Sequence, residues 1–361
     1  MRKGTTILVA VFFVALLLIG FLSLRSPRPI VELKAETILE IGPFPLTNTI
    51  LTAWIVVILM AVITYLGFRN PQLVPHGLQN FLETVMEGFY NMVAGTAGES
   101  NARRFFPVVA TIFFYVVFAN WLGLFPGVAT IGKVQELHVE EGAEFHEKGF
   151  VFERVGGIDV IMPSAPKWPP AEPSTIEVEV PEGASLEQKE AALEEATADL
   201  KPDEKAGFFI PFFRSVNTDL NAPLALAIMS AIYVEFWGSS SMGFFRYSSK
   251  FFNFGRLLRG KLLDGIIDVF VGLLELIAEA ARILSFTFRL FGNIFAGEIL
   301  FLVIIFLLPL VALQFVYVME LFVGLIQGFI FAMLTLVFGV VAVSGHGGEG
   351  EAESGGPTVP E

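Results

Sequence analysis

The chain contains no cysteine. That excludes disulfide frameworks, cysteine-ligated metals and thiol nucleophiles, and it leaves the redox compartment open. Histidine is scarce too. His76, His138, His146 and His346 lie far apart, so no zinc or haem cluster is encoded and no cofactor is expected. Charged residues make up only 16% of the chain, against about 25% in an ordinary soluble domain. The charge present is mostly acidic, and the net value of −13 would repel a nucleic-acid backbone. What fills the chain is apolar: 54% hydrophobic residues, 38 Phe, and a mean hydropathy of +0.67. Long apolar runs recur, and they predict an all-α, polytopic membrane protein.

The charge is unevenly spread. Between Ile131 and Gly207 lie 18 of the 36 acidic residues and seven basic ones. Proline-rich pieces such as Pro163-Ser164-Ala165-Pro166 sit there beside short alternating stretches such as Ile176-Glu177-Val178-Glu179-Val180. Ser185 is a suitable N-cap for a short helix reaching Leu200. The block reads as a polar insertion outside the bilayer, and its plain reading is a solvated acidic loop.

Crossing a bilayer takes about 20 apolar residues. Thr5–Leu24 is the first candidate, read as a retained anchor or a signal-like helix. Ile50–Phe68, Phe105–Phe125 and Leu220–Phe245 follow. Leu73–Ala94 carries Gln79, Asn80, Glu83, Glu87 and Asn91 among apolar residues at helical spacing, so it reads as an amphipathic surface helix. Two very long stretches close the chain, Leu262–Leu308 and Val311–Val343. At 1.5 Å per residue they would make helices of about 70 and 50 Å, against a hydrocarbon core of about 30 Å. Such a hairpin must tilt strongly, kink, or run partly along the surface.

The resulting organisation is an anchor over 1–24, the first spans and surface helix over 25–130, and the acidic insertion over 131–210. A membrane core with a tilted helical hairpin follows over 211–344, then a disordered tail over 345–361. The segment Arg246–Lys261 holds five basic residues and no acidic one. The positive-inside rule makes it cytoplasmic, together with the tail, and sets the insertion outside.

The hairpin holds polar residues where lipid-facing helices have none. Arg289 lies deep in an apolar run, where an arginine costs about 3 kcal/mol on insertion scales and cannot shed its proton. Its plain readings are snorkelling or a structural ion pair. Long apolar flanks disfavour the first, and a fixed functional cation is the reading preferred here. Ser285, Arg289 and Asn293 are four apart and share a helix face. Glu275 lies about 40° from Arg289 on the same side, and Glu298 points away from it. On the returning helix Glu320 and Gln327 share a face. With the turn taken near Pro309, Glu298 and Glu320 share one depth and Arg289 and Gln327 another, about 13 Å away. Two carboxylates at one buried level titrate as a coupled pair, which suits a proton relay; the plain alternative is a hydrogen-bonded structural pair.

Arg289-Leu290-Phe291-Gly292-Asn293, Ala296-Gly297-Glu298 and Gln327-Gly328-Phe329-Ile330-Phe331 resemble subunit a of the rotary F-type ATP synthase. Pro75-His76-Gly77-Leu78-Gln79, Arg103-Arg104-Phe105-Phe106-Pro107, the stretch from Ala119 to Pro126, and Thr218-Asp219-Leu220-Asn221 resemble its upstream segments. The resemblance runs from about Pro45 to Val343, without the insertion. It implies a non-catalytic membrane stator beside a ring of c subunits, forming two offset proton half-channels that couple ion flow to rotation and ATP synthesis. It implies Arg289 as the stator cation facing the ring carboxylate, and Asn293, Glu298, Glu320 and Gln327 on the outward path. Glu275 and Ser285 fall on the inward path, and Asp219 is an acid of an outward loop. Implied partners are the c-ring, peripheral-stalk b subunits, the rest of the synthase, protons and lipid, in a bacterial inner membrane with the C-terminus cytoplasmic. Where the family often has one Glu and one His, Glu298 and Glu320 are both acidic here. A secondary transporter with a buried arginine site is the competing reading, but the chain shows no internal repeat to support it. A purely structural anchor of a respiratory complex would leave the aligned Arg, Gln and Glu levels unexplained.

Overall fold

The structure is a computed structural model. It describes residues 12, 14–15, 35–42, 44–125, 128, 131–137, 148–155, 158–161, 175–178, 180, 184–201, 204–248, 251, 262–307 and 311–344. The tail from 345 onward, Pro309, most of the 246–261 basic segment and nearly all of the Thr5–Leu24 anchor lie outside the described residues.

Five helices are long and apolar enough to cross a membrane. They are α1 (Asn48–Phe68), α3 (Glu99–Gly123), α5 (Asn221–Met242), α7 (Leu262–Leu307) and α8 (Val311–Ser344). Length and composition fix them, and each starts or stops within a few residues of where the apolar run does, apart from the start of α3. That helix begins six residues before the run at Phe105, because Glu99–Arg104 forms its polar first turns. α1 is apolar all round, as a helix in lipid is, and it opens where Thr47 Oγ1 accepts from the Ile50 N–H at 3.3 Å. α2 (Gly77–Ala97) is absent from the spanning set. It buries Phe89, Val93 and Ala97 and keeps Asn80, Glu87 and Asn91 exposed, while Gln79 is buried and donates to the Gln72 carbonyl and to Glu83. The all-α reading therefore holds for the membrane part, with a long C-terminal helix pair.

The chain divides into two compact units. One comprises residues 53–121, 216–294 and 323–361. Its core joins Phe89 and Val93 of α2, Phe105, Val109 and Val116 of α3, Trp237 of α5, Phe286 and Leu290 of α7, and Phe331 and Leu336 of α8. In lipid the hydrophobic effect does not drive helices together; close packing through small residues does. α8 shows this at Gly324 and Gly328, one turn apart. A Cβ at Gly328 would meet Val117 Cγ2 at 2.7 Å, and one at Gly324 would meet Asn120 Cβ at 3.0 Å. The same interface carries a buried polar chain: Asn217 Nδ2 donates to Asn120 Oδ1 at 2.7 Å, and Asn120 Nδ2 donates to the Gly324 carbonyl at 3.2 Å.

The other unit comprises residues 1–52, 122–215 and 295–322. It holds a hairpin, β1 (Thr37–Ile41) with β2 (Phe44–Thr47), and an antiparallel sheet. The sheet runs β3 (Gly132–Glu136), β7 (Glu204–Pro211), β4 (Lys148–Val155), β5 (Ile158–Ile161), and β6 (Thr175–Glu177) pairs with β4 beside β5. The acidic insertion is thus built around a sheet rather than being only a solvated loop. Its helix α4 (Leu186–Thr197) starts at Ser185, whose hydroxyl accepts from Gln188 N while Gln188 caps Ser185 N in return. Lys133 Nζ donates to the Ile38 carbonyl at 3.0 Å and Asn48 Nδ2 to the Pro211 carbonyl at 3.4 Å, which ties hairpin and sheet together.

Candidate functional site

α7 and α8 run antiparallel, and their register can be read in each unit separately. In one, Arg282 lies over the Phe338 ring at 3.9 Å and Phe286 meets Phe331 at 5.0 Å. In the other, Phe301 meets Tyr317 at 6.4 Å and the Glu320 carboxylate lies directly against Gly297. All four pairs are centred on position 309 to within a residue. The register therefore sets Glu320 opposite Glu298, and Gln327 opposite Phe291, two residues beyond Arg289.

Arg289 sits on the exposed face of α7 with Ser285 and Asn293, between the exposed apolar side chains of Leu284 and Phe288. The opposite face of the same turns, Phe286, Leu290 and Ile294, is buried in the core. Arg289 Cζ is 6.0 Å from the Phe286 ring centroid, and no described carboxylate of its own unit pairs with it. A guanidinium held on an apolar surface within a long apolar helix is favoured by an anionic or polar group beside it. Gln327 is buried on α8. Glu275 is partly buried on α7, on the side of the exposed stripe and about 21 Å before Arg289 along the helix. Asp219 lies in the turn before α5, where its Oδ1 accepts from Asn221 N at 3.1 Å and Asn221 Nδ2 at 3.0 Å; this ties down the start of the helix.

In the other unit the register sets Glu298 and Glu320 at one level of the α7–α8 pair. Glu320 is 6% exposed, and its carboxylate occupies the space a side chain at Gly297 would need. Glu298 has a partner that sequence reasoning missed. Arg214, just beyond the end of β7, donates from Nε to Glu298 Oε1 at 3.3 Å and from Nη2 to Oε2 at 3.2 Å. Its side chain is only 10% exposed. The two-point fork fixes the carboxylate in orientation as well as place. The one signal in the sequence was a lone arginine between a Phe-rich strand and the Thr218-Asp219-Leu220-Asn221 motif; its partner is 84 residues away. Asn120 and Asn217, also within or beside recognised motifs, prove to be the buried polar chain described above. No group of His, Cys, Asp and Glu able to hold a metal occurs among the described residues.

A family model described as ATP synthase A chain matches residues 50–339. ATP synthase subunit a of Campylobacter concisus (strain 13826) is 26% identical over 295 residues, covering 81% of this chain and 88% of that protein. ATP synthase subunit a of Gloeobacter violaceus is 25% identical over 317 residues, covering 88% of this chain and 92% of that protein.

Proposed function

The chain belongs to the ATP synthase A chain family, and from that premise we propose that it is the membrane stator against which a ring of c subunits turns. As a multi-span membrane subunit of an ATP synthase it serves ion transport and ATP synthesis. In the finer reading it forms two offset half-channels. Arg289 faces the ring and meets each ring carboxylate in its deprotonated form, and its fixed charge keeps protons from passing straight between the channels. Protons enter through Glu320 and Glu298, with Asn293 and Gln327 near the ring and Asp219 at the outer approach. They leave through Glu275 and Ser285. The acidic insertion faces the outside and the 246–261 segment and tail face the cytoplasm of a bacterial cell, as the basic-residue asymmetry requires. Peripheral-stalk b subunits hold the stator still.

The observation that carries this reading is the exposed Arg289 on the stripe of Ser285 and Asn293. Lipid is a poor environment for that group, whereas a ring carboxylate would satisfy it. Arg289→Ala and Arg289→Gln are expected to abolish ATP-driven proton pumping in inverted vesicles while the complex still assembles. Lysine should rescue poorly, because an ammonium does not reproduce the guanidinium fork. Near-parental pumping by Arg289→Ala would overturn the stator reading.

A further inference from the structure

The described residues of the insertion expose almost no large apolar side chain. Over 132–211 the exception is Leu186, at the start of α4. The segments that join the insertion to the spanning helices are different. Phe44 is 76% and Leu39 56% exposed in the β1–β2 hairpin just before α1, and Phe125 and Ile131 are exposed between α3 and β3. The bond from Lys133 Nζ to the Ile38 carbonyl ties hairpin to sheet, so Leu39 and Ile131 lie within two residues of one contact.

The register of the hairpin sorts its side chains. Leu39 pairs with Leu46, and Ile41 with Phe44. Directly paired residues share a face, and so do alternate residues of one strand. Leu39, Phe44 and Leu46 are therefore on one face, and Gly42 sits in the turn at φ +61°. β2 ends at Thr47 and α1 starts at Asn48, with no residue between. The 21 residues of α1 make a helix of about 31 Å, the thickness of the hydrocarbon core. Asn48 thus stands at the edge of that core, and Phe44, four residues earlier, is at most about 14 Å away. The polar interface is about 6 Å deep on each side, so a hairpin lying along the surface keeps Phe44 within it.

We propose that the Leu39, Phe44 and Leu46 face of the hairpin lies in the lipid headgroup layer of the leaflet where α1 begins. It seats the insertion's sheet on the lipid surface, with Ile131 at the same edge. Lipid is the occupant because the exposed apolar side chains follow the ends of the spans and not the body of the sheet. The pattern recurs at the far end of α5, within the other unit. There Phe244 and Phe245 are 69% and 89% exposed on α6 (Phe244–Ser248), one residue after the span. Aromatic side chains gather at that level of a bilayer. The hairpin from Thr37 to Thr47 contains no Lys or Arg, so the contact is apolar and needs no anionic headgroup. This goes beyond the stator reading and does not depend on Arg289.

The test uses the assembled complex in phosphatidylcholine vesicles, with its other subunits freed of cysteine. This chain has no native cysteine, so Phe44→Cys, Leu39→Cys and Leu186→Cys each carry a single thiol for a fluorophore. A nitroxide carried high on the lipid acyl chain should quench Phe44→Cys several-fold more than Leu186→Cys, and aqueous iodide should give the reverse order. Raising the salt should leave the lipid quenching unchanged, because the contact is not electrostatic. Leu39→Cys, on the same face, gives the same readout should Phe44→Cys fail to assemble. Iodide reaching Phe44→Cys as freely as Leu186→Cys would leave the hairpin in water and overturn the proposal. Shielding from both quenchers would mean that protein covers the face, and overturns it equally. Lipid quenching lost in salt would overturn its apolar basis.

Discussion

Arg214 and Arg289 carry the same group in opposite circumstances. Arg214 is nearly buried and gives the two donors of one guanidinium edge to Glu298 within its own chain. Arg289 lies on an exposed helix face among apolar side chains, and its unit offers it no carboxylate among the described residues. A permanently charged side chain needs a counter-charge in or beside a membrane. Where the chain provides one, the arginine positions its partner. Where no described carboxylate of its own unit pairs with it, the charge stays on an exposed helix face.

The contrast is broken most severely at Arg214. Arg214 is nearly buried but Glu298 is 31% exposed, so removing one member costs at most the ~3–5 kcal/mol of a fully buried pair, because the other charge is only partly stranded. Arg214→Ala should therefore reduce the assembled complex and its thermal midpoint, and Arg214→Ala with Glu298→Ala should recover much of the loss. Arg289→Ala, by contrast, should leave the midpoint near the parent. Equal midpoints for Arg214→Ala and the parent would mean the pair has no structural weight.

A second set of variants sharpens the comparison at the carboxylates. Glu320 lies against Gly297, and Glu298 follows it on the same helix. If they carry protons as one unit, Glu298→Gln and Glu320→Gln should each slow entry from the outside. The double variant should cost less than the two losses added as free energies. Proton flux per assembled complex in a double-mutant cycle measures this, and strict additivity would separate the two groups functionally.

The smallest effect is expected in the insertion. Lys201, in solvent, pairs at 2.9 Å with the partly covered Glu204, and a pair open to water on one side contributes little. Lys201 beside it holds the Glu204 carboxyl below its ordinary pKa. Its small contribution is therefore present above the ordinary carboxylate range and is lost as the pH falls through Glu204's lowered value. Glu204→Gln should barely move the thermal midpoint at neutral pH and not move it at all in acid.

The comparison also explains what could be read from the sequence. The spanning helices were legible because apolar length alone specifies them, as for α7, expected over 262–308 and found over 262–307. The depth match of Glu298 and Glu320 was legible because an antiparallel hairpin has only one register for a given turn. The sheet was not, because β7 pairs with β3 and β4 across long, polar intervening sequence. Only the alternation at Ile176–Val180 and the cap at Ser185 hinted at its order. Arg214 was hidden for the same reason: its meaning depends on a carboxylate three elements away.

The central claim is that the Arg289 face of α7 meets the ring. Disulfide formation with a cysteine placed beside the ring subunit's membrane carboxylate tests it in the assembled complex. Ser285→Cys and Asn293→Cys, both on the exposed stripe, should cross-link, while Thr287→Cys, 2% exposed on the packed side, should not. Cross-linking at Thr287, or at neither exposed position, would contradict the account.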